Sequence, residues 1–148
     1  MTRQVSSSKK KNATLWTWLV GLAAVALAVY AGIMVISPAA DVTGLPREIN
    51  ASEAADLRAE GAFILDVREP DEWNAGHIPD ATLIPLGELE ARVNELPRDQ
   101  KIVVVCRSGN RSATGRDILL DAGFGEVTSM GGGMNSWVSL GLPTVTGP

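Results

Sequence analysis

The chain has 148 residues but only one cysteine, Cys106, and one histidine, His77. A single cysteine excludes an intramolecular disulfide and any zinc cluster built on several thiolates. A single histidine excludes a multi-histidine metal site. No cofactor motif is present either. Gly131-Gly132-Gly133 lacks the following lysine of a phosphate loop and the GxGxxG spacing of a dinucleotide site, so neither a metal nor a cofactor is expected. Positive charge is scarce in the long C-terminal part: from Asp41 onward 9 basic residues stand against 17 acidic ones, a net of −8. Such an acidic body argues against a nucleic-acid partner. Acids, in turn, are missing from residues 1–14, which carry Arg3, Lys9, Lys10 and Lys11. No internal repeat is visible.

Charge of either sign is absent from 15–36. As a helix at 1.5 Å per residue this stretch spans about 33 Å, enough for the hydrocarbon core of a bilayer. Trp16 and Trp18 sit near one end, as interfacial tryptophans do. The apolar stretch exceeds the usual length of a signal-peptide core, so a retained anchor is expected rather than a cleaved leader. Residues 1–14 are then a basic tail, 15–36 a single-pass transmembrane helix in contact with lipid, and 37–46, with two prolines and a glycine, a linker. The positive excess before the helix predicts a cytoplasmic N-terminus and an extracytoplasmic C-terminal domain. Ala24, Ala28 and Gly32 recur every four residues, a spacing that would allow a weak homodimer through the helix.

Beyond the linker, helix and strand signals alternate. Asn50 and Glu53 form a capping pair for a helix over 51–60, stopped by Gly61. Apolar runs predict strands at 62–65 and 102–105, and further short strands are expected at 82–84 and 127–130. Pro70 suits the first position of a short helical turn over 70–73. Leu86, Leu89, Val93 and Leu96 mark one face of a helix. Further helices are expected over 113–122 and 135–140. Strands alternating with helices imply an α/β fold with a parallel sheet covered on both faces.

Cys106 falls where the run Ile102-Val103-Val104-Val105 ends and a polar loop leads into a helix. In open α/β sheets, ligands bind at the carboxyl ends of strands, and a helix N-terminus offers free amides to anions. Arg107, Arg111 and Arg116 add positive charge with no acid between 106 and 116. Together these predict a thiol shifted toward thiolate, hence a nucleophile rather than an inert core cysteine.

The run Cys106-Arg107-Ser108-Gly109-Asn110-Arg111-Ser112 resembles the active-site loop of the rhodaneses, the thiosulfate sulfurtransferases. Ile64-Leu65-Asp66-Val67-Arg68-Glu69-Pro70-Asp71-Glu72-Trp73 with Ala75-Gly76-His77-Ile78-Pro79-Asp80-Ala81, and then Gly132-Gly133-Met134-Asn135-Ser136-Trp137, resemble that family's first and last boxes. The three occur in the family's order at single-domain spacing. The resemblance implies a rhodanese-like three-layer α/β/α domain over 47–143 with a five-stranded sheet, leaving 144–148 as a C-terminal tail. It implies that Cys106 takes the outer sulfur of thiosulfate or another sulfane-sulfur donor as a persulfide and passes it to cyanide, a thiol or a protein. Arg107, Ser108, Gly109, Asn110, Arg111 and Ser112 would form the anion loop, with Arg111 closing it, Arg107 steering, and Ser112 capping the helix or donating to the persulfide. Asp66, Arg68 and Glu72 would stand behind it, orienting loop arginines or forming an ordinary ion pair. His77 is expected to be structural. Two other readings stand beside this one. A non-catalytic sulfur carrier or interaction module needs only one persulfide site. A phosphatase or arsenate-reductase-like enzyme would use a cysteine and an arginine with five residues between them, where Cys106 and Arg111 have four.

Overall fold

The computed structural model describes residues 44–148. Five parallel strands form one sheet: β1 (Glu48–Ile49), β2 (Phe63–Asp66), β3 (Thr82–Leu83), β4 (Ile102–Val105) and β5 (Val127–Met130), in the order β1-β5-β4-β2-β3. The helices are α1 (Ala51–Ala59), α2 (Pro70–Ala75), α3 (Leu86–Arg92), α4 (Asn110–Asp121) and α5 (Gly133–Ser139), with a 3₁₀ turn at Val93–Glu95. This is the expected parallel α/β architecture. Among the described residues no helix is long and apolar enough to cross a membrane. The tail 1–14, the apolar segment 15–36 and most of the linker 37–46 lie outside them.

The all-apolar β4 runs down the middle of the sheet because both its faces are covered. Ile102 and Val104 pack with Leu65, Leu89, Leu119 and Phe124 on one side. Val103 and Val105 pack with Ile64, Ala54, Met134 and Trp137 on the other. Alternate residues of one strand thus feed two cores, and α3 and α4 cover one face while α1 and α5 cover the other. Gly115 lets α4 lie close on β4, since a Cβ there would stand 3.1 Å from Val104 Cγ1.

Three differences from the sequence reading bear on function. Strand β1 has only two residues, paired with Ser129 and Met130 of β5, and is too short to show a period. Helix α4 begins at Asn110 rather than 113, so Asn110, Arg111 and Ser112 belong to its first turn and not to a loop. The stretch 144–148, set apart as a tail, is tied to the body: His77 and Val145 exchange backbone hydrogen bonds of 2.9 Å, and Gly147 N–H donates to Asn74 O at 3.1 Å.

Candidate active site

Cys106 is the first residue past β4, the strand flanked by β2 and β5. Its side chain is buried, yet polar donors surround the sulfur. The Gly109 amide donates to Sγ at 3.1 Å, and the thiol itself donates to Ser112 Oγ at 3.6 Å. Burial alone would push the thiol pKa up. The Ser112 hydroxyl and the amides of Ser112, Ser108 and Gly109 outweigh burial and hold it below the ordinary thiol value. The amides are fixed dipoles aimed at one atom, the arrangement that stabilises an anion without reorganisation.

The cradle has this shape because glycines let two backbones meet. Gly109 caps α4 in the left-handed region, at φ 105°, where only glycine is unstrained. Gly133, at φ 55°, lies against the cysteine loop: a Cβ there would collide with Cys106 O and stand 2.6 Å from Arg107 C and 2.7 Å from Ser108 N. The first turn of α5 then grips the loop through its carbonyls, with Met134 N–H donating to Cys106 O at 2.8 Å and Asn135 N–H to Arg107 O at 3.1 Å. With those carbonyls held by α5, the loop amides remain free to face the sulfur. The two α5 amides leave no trace in side-chain identity, and the sequence reading missed them.

The arginines behave differently from the expectation that all three charge the thiol. Arg111 forms a two-pronged ion pair with Glu72, at 2.7 and 2.8 Å. This hydrogen bonding lowers the Glu72 pKa and raises that of Arg111. The Glu72 carboxylate also accepts the Glu69 amide at 3.2 Å, tying α2 to the cradle. Arg116 points away from the sulfur. Its guanidinium donates to Arg47 O and Ser129 Oγ, both at 2.9 Å, and pairs with Asp117. Arg107 is exposed and makes no ion pair or side-chain hydrogen bond among the described residues. The depressed thiol pKa is therefore chiefly the work of a hydroxyl and the amides, with Arg111 coupled to the thiolate charge as well.

Ser112 does not cap α4, a place Gly109 fills without a side-chain bond. It sits a turn inside, its hydroxyl 2.8 Å from Gly109 O as donor and within reach of Sγ. Ser108 and Asn110 are exposed beside the loop. Asp66 and Arg68 do not touch the loop arginines. They form a buried ion pair of 2.7 Å, and Arg68 donates onward to Glu72 O and Gly76 O at 3.1 and 2.9 Å. Of the three residues placed behind the loop, only Glu72 reaches it with its side chain; Asp66 and Arg68 fix the turn that carries Glu72. His77 is buried, stacked on Trp73 with ring centroids 3.5 Å apart, its Nδ1 paired with Trp73 O at 3.1 Å. A cleft of about 570 Å³ lies beside the cradle, walled by Arg107, Glu72, Met134, Asn135, Val138 and Thr144 among others.

Comparison with known proteins converges on one family. The profile of the Rhodanese-like domain matches residues 50–140. A sulfurtransferase of Allochromatium vinosum is 38% identical over 86 residues, covering 58% of this chain and 80% of that protein. The thiosulfate sulfurtransferase GlpE of Pseudomonas syringae pv. syringae is 34% identical over 91 residues, covering 62% of this chain and 86% of that one. Among solved structures, a rhodanese-related protein from Thermoplasma volcanium superposes with a TM-score of 0.63 at 37% identity, covering 69% of this chain and all of that one. The matched span holds the Cys106 cradle, the Glu72–Arg111 pair and the Gly133 contact that shapes it, and on these grounds the chain belongs to the rhodanese-like domain family.

Proposed function

We propose that the chain is a membrane-anchored sulfurtransferase that takes a sulfane sulfur from thiosulfate or a related donor onto Cys106 and delivers it to a thiophilic acceptor. The observation that carries this reading is a lone thiol whose pKa is lowered by the Ser112 hydroxyl and the amides of Ser108, Gly109 and Ser112, in a chain with no second cysteine to resolve it as a disulfide. The Cys106 thiolate attacks the outer sulfur of thiosulfate. A new S–S bond forms at Sγ, the sulfur–sulfur bond of the donor breaks, and its electron pair leaves with sulfite. The amides of Ser108, Gly109 and Ser112 then hold the persulfide's negative charge, with the Ser112 hydroxyl able to turn from Gly109 O to the sulfur. Arg111, clamped by Glu72, keeps N–H donors unused by the carboxylate to meet the donor's sulfonate oxygens. An acceptor removes the outer sulfur and returns Cys106 as thiolate.

The apolar segment 15–36 supports a single-pass anchor, and Arg3, Lys9, Lys10 and Lys11 support a cytoplasmic N-terminus with the sulfurtransferase domain on the other side. Sulfur compounds outside the cytoplasm would then be its substrates. Steady-state turnover of thiosulfate with cyanide tests the activity. Cys106→Ser is expected to abolish it, and a variant that retains full activity would overturn the assignment. Release of only one sulfur per chain, with no cycling, would favour the carrier reading.

A further inference from the structure

Arg116 is buried on α4, at 6% exposure, and the proposed chemistry gives it no task. Its Nη1 donates to Arg47 O and to Ser129 Oγ, both at 2.9 Å. Ser129 Oγ donates in turn to the same carbonyl at 3.1 Å. Asp117 takes Nη2 at 2.9 Å and the Arg47 guanidinium at 2.7 Å. Helix α4, strand β5 and the lead-in to β1 therefore meet at one backbone carbonyl.

Strand β1 needs such a hold. It is an edge strand of two residues, shorter than strands usually are. Yet it supports the stretch that shapes the cradle. Ile49 O accepts the Gly131 amide at 2.8 Å, and the Glu48 side chain lies against Gly131, 2.9 Å from where a Cβ would stand. On its other side the same stretch meets the cysteine loop. Met130 O lies 3.5 Å from Ser112 Oγ as its acceptor, Gly132 N stands 3.1 Å from where a Gly109 Cβ would be, and Gly133 abuts Cys106 O. Ser112 and Gly109 supply the hydroxyl and the amide found at Sγ. A continuous line of contacts runs from Arg116 through Arg47 O, Ile49 O and Gly131 to those two groups. Close-packed backbone transmits a displacement rather than absorbing it.

We propose that Arg116 is a positioning residue for the thiol: its guanidinium clasps β1 to β5 and α4, and β1 in turn sets where Gly131, Gly132 and Gly133 hold the cysteine loop. Its charge is not the instrument, since it is paired with Asp117. The effect on turnover rests on the sulfurtransferase reading above; the effect on the thiol stands apart from it.

The test uses the full chain and three substitutions. Arg116→Met keeps much of the side-chain volume and loses every donor. Arg116→Lys keeps the charge but replaces the planar fork by a single ammonium. Arg58→Met is the control. It loses a guanidinium bonded to Pro79 O at 3.0 Å and paired with Asp80, in the last turn of α1, which leads to the start of β2 and so lies at the strand ends opposite Cys106. The pH profile of iodoacetamide alkylation reads the Cys106 pKa with no sulfur donor present, and kcat/KM for thiosulfate reads the chemistry. Arg116→Met should raise the thiol pKa by about one unit, the worth of weakening one hydrogen bond to the thiolate, and lower kcat/KM by about ten-fold. Arg116→Lys should fall between it and wild type. The shift should persist at about 1 M salt, where the screening length is about 3 Å. Arg58→Met should move neither readout. An unmoved alkylation profile in both Arg116 variants, an equal shift in Arg58→Met, or a shift that vanishes in salt overturns the proposal. Should Arg116→Met not fold, the same readouts on Arg116→Lys decide. A wild type without thiosulfate turnover overturns the sulfurtransferase reading, while the alkylation profiles still decide the clasp.

Discussion

Replacing Gly133 by alanine probes the contact that gives the cradle its shape. The backbone at φ 55° costs a residue with a side chain about 1–2 kcal/mol. The added methyl would also run into Cys106 O and stand 2.6 Å from Arg107 C and 2.7 Å from Ser108 N. All three atoms are backbone and cannot swing aside as a side chain would. The loop is moreover pinned by the Met134 and Asn135 amides. Overpacking of this kind costs about 1–3 kcal/mol, while stiffening of the unfolded chain returns about 0.4–1 kcal/mol. The net loss of about 1–4.5 kcal/mol leaves a domain of ordinary stability folded but lowers its Tm by about 5–20 °C. The larger effect is on chemistry. The methyl displaces the Ser108 and Gly109 amides from the sulfur, and misplacement on the scale of an ångström costs about a hundred-fold in rate. Gly123→Ala is the matched control. Its φ of 85° imposes the same backbone cost, but nothing lies within 4 Å of a Cβ there. It should lose about 1 kcal/mol and keep its turnover. Thermal unfolding by circular dichroism, with thiosulfate turnover measured below both Tm values, decides the matter. Wild-type turnover in Gly133→Ala, or an equal loss in Gly123→Ala, would refute the reasoning.

Ser112→Ala removes the foremost group opposing burial at the thiol, so the Cys106 pKa should rise and the pH–rate profile of iodoacetamide alkylation should move to higher pH; an unmoved profile would assign the effect to the amides alone. The folded thiol pKa is depressed, so thiolate formation stabilises the fold fully above the unfolded thiol pKa, and this contribution fades as pH falls through the folded pKa; the stability advantage of wild type over Cys106→Ser should shrink on acidification across that window. Arg111→Ala should harm thiosulfate turnover more than Arg107→Ala, since Arg111 is the guanidinium clamped at the cradle by Glu72, and equal effects would contradict the division of labour between them. Asp66→Asn leaves the buried Arg68 charge without its carboxylate partner and should cost about 3–5 kcal/mol in urea unfolding; a loss below 1 kcal/mol would show that the Glu72 and Gly76 carbonyls alone satisfy Arg68.

What was legible in the sequence depended on distance along the chain. The all-apolar run 102–105 placed β4 to the residue, because a strand buried on both faces favours apolar side chains throughout, and β5 was placed to the residue although its middle residues, Thr128 and Ser129, are buried polar ones. The capping pair Asn50 and Glu53 located α1 in the same way, since its chemistry is local. The start of α4 was misplaced because its N-cap is Gly109 rather than a serine or aspartate, so Arg-Ser-Gly-Asn-Arg-Ser reads as loop until the backbone is seen. Cys106 stood out by its position at a strand end. The forces acting on it did not, because the arginines near it in sequence diverge in the fold: Arg111 turns to Glu72, 39 residues away, and Arg116 to Arg47 O, just before β1, and to Ser129 of β5. The α5 amides that hold the loop are backbone groups, so no residue identity announces them.

The central claim is that Cys106 carries the transferred sulfur. Intact-protein mass spectrometry after thiosulfate treatment tests it most directly. Wild type should gain the mass of one sulfur atom per chain, lose it on addition of cyanide, and show it on the peptide containing Cys106, while Cys106→Ser gains nothing. A wild-type mass that does not change, or the same gain in Cys106→Ser, would contradict the account.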